Sequence, residues 1–256
     1  MNRIKTTQVD RLFVRVFETR EEMGASAGGD AAQALRKILA EKERANVMFA
    51  AAPSQNETLA ALCASEGIDW SRVNAFHMDE YIGLDPAHPA GFRNFLKRAI
   101  FDRFPFASVH LLNGNAEDPA QEALRYEALL REHPLDICLL GIGENGHIAL
   151  NDPPVANFED PHLVKIVQLE ERCRLQQVHD GCFSSIDQVP TQALTVTIPG
   201  MMRAGQLFCS VPASTKADAV AQLINGPVCV DCPATAMRRH PSATLYLDRD
   251  AAQHIL

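Results

Sequence analysis

The sequence predicts an α/β fold: a single-domain, doubly wound, mostly parallel sheet flanked by helices, Rossmann-like in its layering. Three observations carry that prediction. Short apolar runs recur along the chain, segments of helical period separate them, and several runs are apolar throughout instead of alternating, as strands covered on both faces are. With 256 residues and 46% hydrophobic content, the chain can bury a large core in one domain spanning 1–256.

The expected strands are 11–17 (RLFVRVF), 45–52 (ANVMFAAA), 73–78 (VNAFHM), 108–113 (SVHLLN), 136–142 (DICLLGI), 164–169 (VKIVQL), 193–198 (ALTVTI), 206–211 (QLFCSV) and 243–248 (ATLYLD). Between them, 20–43 repeats Met23, Ala27, Ala31, Leu35 and Leu39 at helical spacing, and 117–132 does the same with Ala120, Ala123, Leu124, Tyr126 and Leu130. A third helix, 215–225, stops at Gly226-Pro227. No internal repeat, low-complexity tract or linker divides the chain.

Composition removes several classes of function. A net charge of −8 argues against broad nucleic-acid contact, which needs lysine and arginine to displace counterions from phosphates. No apolar run approaches the roughly 18 to 20 residues that cross a bilayer, and the N-terminus lacks a secretory h-region and cleavage site. The expected compartment is the cytoplasm. Seven irregularly spaced cysteines read as reduced and mainly buried, and the pair Cys229 and Cys232 lacks further ligands nearby in sequence, so no metal is expected.

In such sheets ligands bind where loops leave the carboxyl ends of strands. Four loops hold most of the unusual polar residues: PSQNET after 45–52, DEYIGL after 73–78, GENGHIALNDPP after 136–142, and PASTK after 206–211. The third contains G-x-G-x-x-G (Gly141, Gly143, Gly146), a pattern often tied to dinucleotides. That reading requires a crossover helix, and Pro153 and Pro154 leave no room for one. The glycines instead let the backbone turn sharply around His147, which lies beside Glu144, Asn145 and Asp152. A histidine oriented by an acid moves protons near neutral pH; a turn-capping histidine is the plainer alternative.

Asp79 and Glu80 directly follow an apolar run, where acids are costly unless solvated or paired. One can face a pocket as a base while the other braces a neighbour. Ser54, Gln55 and Asn56 precede a helical segment, as phosphate-holding or capping residues do. Lys216 opens a helix, where the macrodipole disfavours a cation and a bound phosphate would explain it.

FHMDEYIGL, LNGNAEDP, LGIGENGHIALNDPP and DQVPTQALTVTIP, in that order, resemble the glucosamine-6-phosphate deaminase/isomerase family from about residue 45 onward. The resemblance implies aldose–ketose isomerisation and deamination of a hexosamine phosphate by proton transfer between C2 and C1, with no metal or organic cofactor. It implies that Asp79 is the base and that His147 opens the ring. It also implies that Asn145 and Asp152 support His147, Asp152 standing where the family has a glutamate one methylene longer. The implied substrate-binding set is Ser54, Gln55, Asn56, Glu80, Gly143, Gly146 and Lys216. Two departures stand out. PSQNE replaces the family's T-G-[GS]-[ST]-P phosphate loop, and RLQQVHDGCF, with Arg174 and His179, replaces its N-x-R-F segment. The expected partner is a small sugar phosphate, with no nucleic acid or membrane, and a homo-oligomer is left open. A 6-phosphogluconolactonase-type hydrolase and a non-catalytic sugar-phosphate-binding regulator are the rival readings.

Overall fold

A computed structural model describes residues 3–256. In chain order its strands are β1 Arg3–Val9, β2 Leu12–Phe17, β3 Ala45–Phe49, β4 Val73–His77, β5 Asp79–Tyr81, β6 Ser108–His110, β7 Ile137–Leu140, β8 Val164–Gln168, β9 Gln192–Val196, β10 Gln206–Val211 and β11 Ala243–Asp248. Its α-helices are α1 Arg20–Glu41, α2 Asn56–Ala64, α3 Phe92–Leu96, α4 Pro119–Glu132, α5 Glu171–His179, α6 Ile198–Met202 and α7 Ala217–Asn225. None of the described helices is long and apolar enough to cross a membrane.

Eight strands form the main sheet in the order β1-β2-β11-β10-β7-β3-β4-β6, and all neighbours except β1 and β2 are parallel. Their apolar character follows from burial on both faces. Along β7, Ile137 and Leu139 join the core under α1, α2 and α3, whereas Cys138 and Leu140 join the core under α4, α6 and α7. The helices begin where capping chemistry allows. Thr19 accepts from the Glu22 N–H at α1, and Asp118 accepts from Ala120 and Gln121 N–H groups at α4, with Pro119 in the first turn.

The structure departs from the sequence reading in three places, one of them Asp79–Tyr81, read as a loop and found as β5. β1 was not expected, because RIKTTQV has no apolar run; it is an edge strand, paired on one side only, with no residue fully buried. The segments 164–169 and 193–198 do not enter the main sheet. They form β8 and β9, and with β5 they make a separate antiparallel sheet in the order β5-β9-β8. The reason is legible in β8, where Ile166 and Gln168 face outward, the pattern of a sheet with one wet face.

Winding in the main sheet runs outward from β3 through β4 to β6, then returns to β7 on the other side of β3 and continues through β10 to β11. The direction reverses between β3 and β7, and the loops leaving those two strands open the crevice that such a reversal creates.

Candidate active site

The crevice is a cleft at the carboxyl ends of β3, β7 and β10. Ser54, Gln55, Asp79, Gly143, His147 and Lys216 line it, as the sequence led one to expect, and so do Phe92, Gln176 and Gln177, which it did not single out.

His147 is 7% exposed, and its orientation follows from fixed donors. The His147 backbone N–H donates to Asn145 Oδ1 at 3.1 Å, which identifies that atom as oxygen. His147 Nδ1 lies 2.7 Å from the same oxygen and 3.1 Å from Asp152 Oδ1. Both neighbours accept, so Nδ1 carries the proton, and in the neutral ring Nε2 keeps its lone pair. Asn145 Nδ2 donates to Asp152 Oδ1 at 2.7 Å, closing the triangle. Burial opposes ionisation of Asp152, but the hydrogen bonds and charge of His147, with Asn145 assisting, hold its carboxyl below the usual range. Asn145 and Asp152 do not touch the cleft; they stand behind the ring.

The loop that carries the ring is held rigidly. Asn151, fully buried, donates to Ile148 O at 3.0 Å and Val196 O at 2.9 Å, and these bonds hold the intervening Ala149 at φ 51°, in the left-handed region. Across this stretch the chain forms turns and a single bridge between Ile148 and Asn151, with no helix from Gly141 to Leu163. Gly143 is needed because the imidazole lies on its backbone: a Cβ there would sit 2.0 Å from His147 Cε1. Gly143→Ala should displace the ring and lower kcat by tens-fold, since placement errors near 1 Å cost about 10²-fold. Steady-state kinetics with a crystal structure of the variant checks both halves of that expectation.

Asp79 begins β5 and is 6% exposed. Burial, and then the adjacent Glu80, push its carboxyl well above the usual carboxylate range. Alternation along the strand sends Glu80 the other way. Its carboxylate accepts from the N–H groups of Tyr81, Phe92 and Arg93 at 3.0 to 3.2 Å, capping the first turn of α3.

Lys216 is 5% exposed, lines the cleft, and its Nζ is buried without a hydrogen-bond partner. Burial lowers its pKa, opposed by Asp180 and Glu144. A strained turn delivers it: Ala213 adopts φ 81° and donates its N–H to the Asp248 carboxylate at 3.0 Å. In the loop after β3, Gln55 Nε2 donates to Ser210 O and Ser54 Oγ, both at 3.2 Å, and Oε1 is left buried and unpartnered.

Three expected substrate-binding residues require correction. Asn56 is exposed at the first position of α2 and does not line the cleft. Glu80 is consumed by its own strand and by α3, because the Tyr81 N–H and the first two N–H groups of α3 need an acceptor. Gly146, at φ 83°, abuts Cys232, whose Sγ would lie 2.7 Å from a Cβ; its role is to let the loop turn against that wall. Of the two cations considered at the far end, Arg174 donates to Ile186 O and Val189 O, and the exposed His179 faces Glu144 at 3.9 Å. Gln176 and Gln177 come into the cleft instead. Their signal was the QQ pair inside the segment that departs from the family pattern.

A family model described as glucosamine-6-phosphate isomerases/6-phosphogluconolactonase matches residues 18–246, beginning well before the motifs that start near residue 45. A glucosamine-6-phosphate deaminase from an Exiguobacterium species is 40% identical over 187 residues, 73% of this chain and 72% of that protein. One from Bacillus cereus is 34% identical over 238 residues, 93% of this chain and 87% of that protein. Among solved structures, a monomeric glucosamine-6-phosphate deaminase superposes with a TM-score of 0.86 at 30% identity, covering 94% of this chain and 99% of that one. The 6-phosphogluconolactonase of Trypanosoma brucei superposes with a TM-score of 0.77 at 14% identity, covering 98% and 100%, a likeness of fold alone.

Proposed function

The chain belongs to the glucosamine-6-phosphate isomerase/6-phosphogluconolactonase family, and on that premise we propose that it isomerises and deaminates a hexosamine phosphate. The substrate is glucosamine 6-phosphate or a close analogue, and the products are the ketose phosphate and ammonia. One observation carries the choice of an anionic substrate: an ammonium buried on the cleft wall without a partner. A desolvated charge of that kind costs several kcal/mol unless something pairs with it, and the ligand is what supplies the counter-charge. Ser54, which also lines the cleft, adds a hydroxyl to the grip on phosphate.

At the other end of the cleft, Asp79 takes the proton from C2 of the opened sugar and returns it to C1. A carboxyl with a raised pKa is a stronger base than an exposed one and still ionises as pH rises. His147 offers Nε2 to the ring oxygen or anomeric hydroxyl, and Asp152 with Asn145 stabilises the imidazolium that forms. Water then displaces the amine from C2, balancing loss of ammonia with gain of the ketone oxygen. The enzyme works in the cytoplasm.

The reading is tested by incubating the protein with glucosamine 6-phosphate in deuterated buffer, scoring ammonia and deuterium incorporation together. Both are expected. Release of acid from 6-phosphogluconolactone without ammonia from the amino sugar would point to the lactonase chemistry instead, and tight binding without turnover of either would point to a regulator.

A further inference from the structure

Beneath the catalytic pair lies a third group that the reaction as described does not use. Cys173 projects from α5, is 2% exposed, and its Sγ lies within 4.8 Å of both a His147 ring nitrogen and an Asp152 carboxylate oxygen. The Asp152 carboxylate is fully buried. Its Oδ1 is engaged by His147 and Asn145, and its Oδ2 has no partner at hydrogen-bonding distance. A buried carboxylate oxygen without a donor is costly, and the thiol is placed to supply one.

We propose that Cys173 is a positioning residue for the deamination: its S–H donates to the free side of Asp152 and fixes the carboxylate against His147. This rests on the proposed reaction. The family's glutamate reaches one methylene further than Asp152, so the shorter side chain needs a support on its far side to hold the same point of contact. A thiol is a weak donor whose hydrogen turns about the Cβ–Sγ bond, so it can point toward the free oxygen.

The surroundings favour a thiol over a thiolate. Burial raises the Cys173 pKa well above its usual range; Asp152 and Asp79 add to the rise, and Lys216 opposes it. Tyr81 is coupled to the thiol as well, and His147 lies beside it. Held as S–H, the sulfur donates; as S⁻ it would repel the carboxylate it supports.

Two variants separate donation from packing. Cys173→Ala removes the donor and Cys173→Ser keeps one. We expect Cys173→Ala to lower kcat about tenfold with KM within about twofold, the size of effect a modest loss of placement produces, and Cys173→Ser to recover most of the loss. Independently of turnover, NMR titration of the His147 imidazole should move to higher pH in Cys173→Ala, because an unsupported Asp152 is more basic and holds the imidazolium more strongly. In Cys173→Ser it should stay near wild type. Equal behaviour of the two variants in both measurements would overturn the assignment and leave Cys173 as core packing. If the wild type releases no ammonia, the deamination reading fails by itself, and the imidazole titration still decides the role of the thiol.

Discussion

Asp79→Asn should reduce kcat by about 10² to 10⁴-fold, the usual contribution of a positioned general base, and should abolish exchange of the substrate C2 proton with solvent deuterium. Substrate affinity should persist, because Lys216 and the loop after β3 are untouched. Exchange at the wild-type rate would remove Asp79 from its role. The same substitution has a stability signature of opposite sign. The folded carboxyl has a raised pKa, so it stays protonated at a pH where the unfolded chain, with its acid near the ordinary value of about 4, has already ionised. Between those two pKa values the native state holds the extra proton, and stability falls as pH rises. Asparagine carries no such penalty. Asp79→Asn should therefore melt above wild type at neutral pH, and the difference should vanish near pH 4. A variant that is more stable and nearly inactive is the mark of a functional acid kept in an unfavourable place.

Lys216→Met is the counterpart at the anion end. A charge-assisted contact contributes about 1.5 to 3 kcal/mol, so KM should rise by about 10 to 150-fold with a smaller change in kcat, measured by steady-state kinetics. Isothermal titration with inorganic phosphate should show the same loss without any turnover. In the empty enzyme the change should stabilise, since methionine fills the same volume without burying an unpartnered ammonium. The lowered pKa of Lys216 sets the pH dependence: above the folded pKa and below the unfolded value near 10.4, the unfolded chain binds the extra proton and wild-type stability rises with pH. The advantage of Lys216→Met should accordingly shrink toward pH 10. An unchanged KM would mean that Lys216 does not hold the substrate.

Much of this was legible in the chain because local rules decided it. Apolar runs without alternation marked the central parallel strands, and Pro153-Pro154 showed that the glycine loop opens no crossover helix. The loops that follow strands named Asp79, His147 and Lys216. What escaped depended on pairing at a distance. β1 is polar and becomes a strand only because β2 offers an edge. Asp79 and Glu80 read as a loop because the partner that makes them a strand, β9, lies more than a hundred residues away. Glu80 looked like a ligand contact until α3 presented two N–H groups to it. Nothing local separates Cys173 from the other cysteines; its placement under Asp152 arises from where α5 docks.

One consequence follows from the way the two sheets share the work. Asp79 rides on the small antiparallel sheet, while His147 hangs from a strand of the large one. They are riveted through β9, where the histidine loop bonds to Thr195 and Val196. Thr195, fully buried, pairs in register with Asp79 and accepts the Leu150 N–H of the histidine loop on its hydroxyl at 3.1 Å. The span between Asp79 and His147 is thus set through β9, so a substitution at Ser54, Gln55 or Lys216 leaves these links between the two sheets untouched.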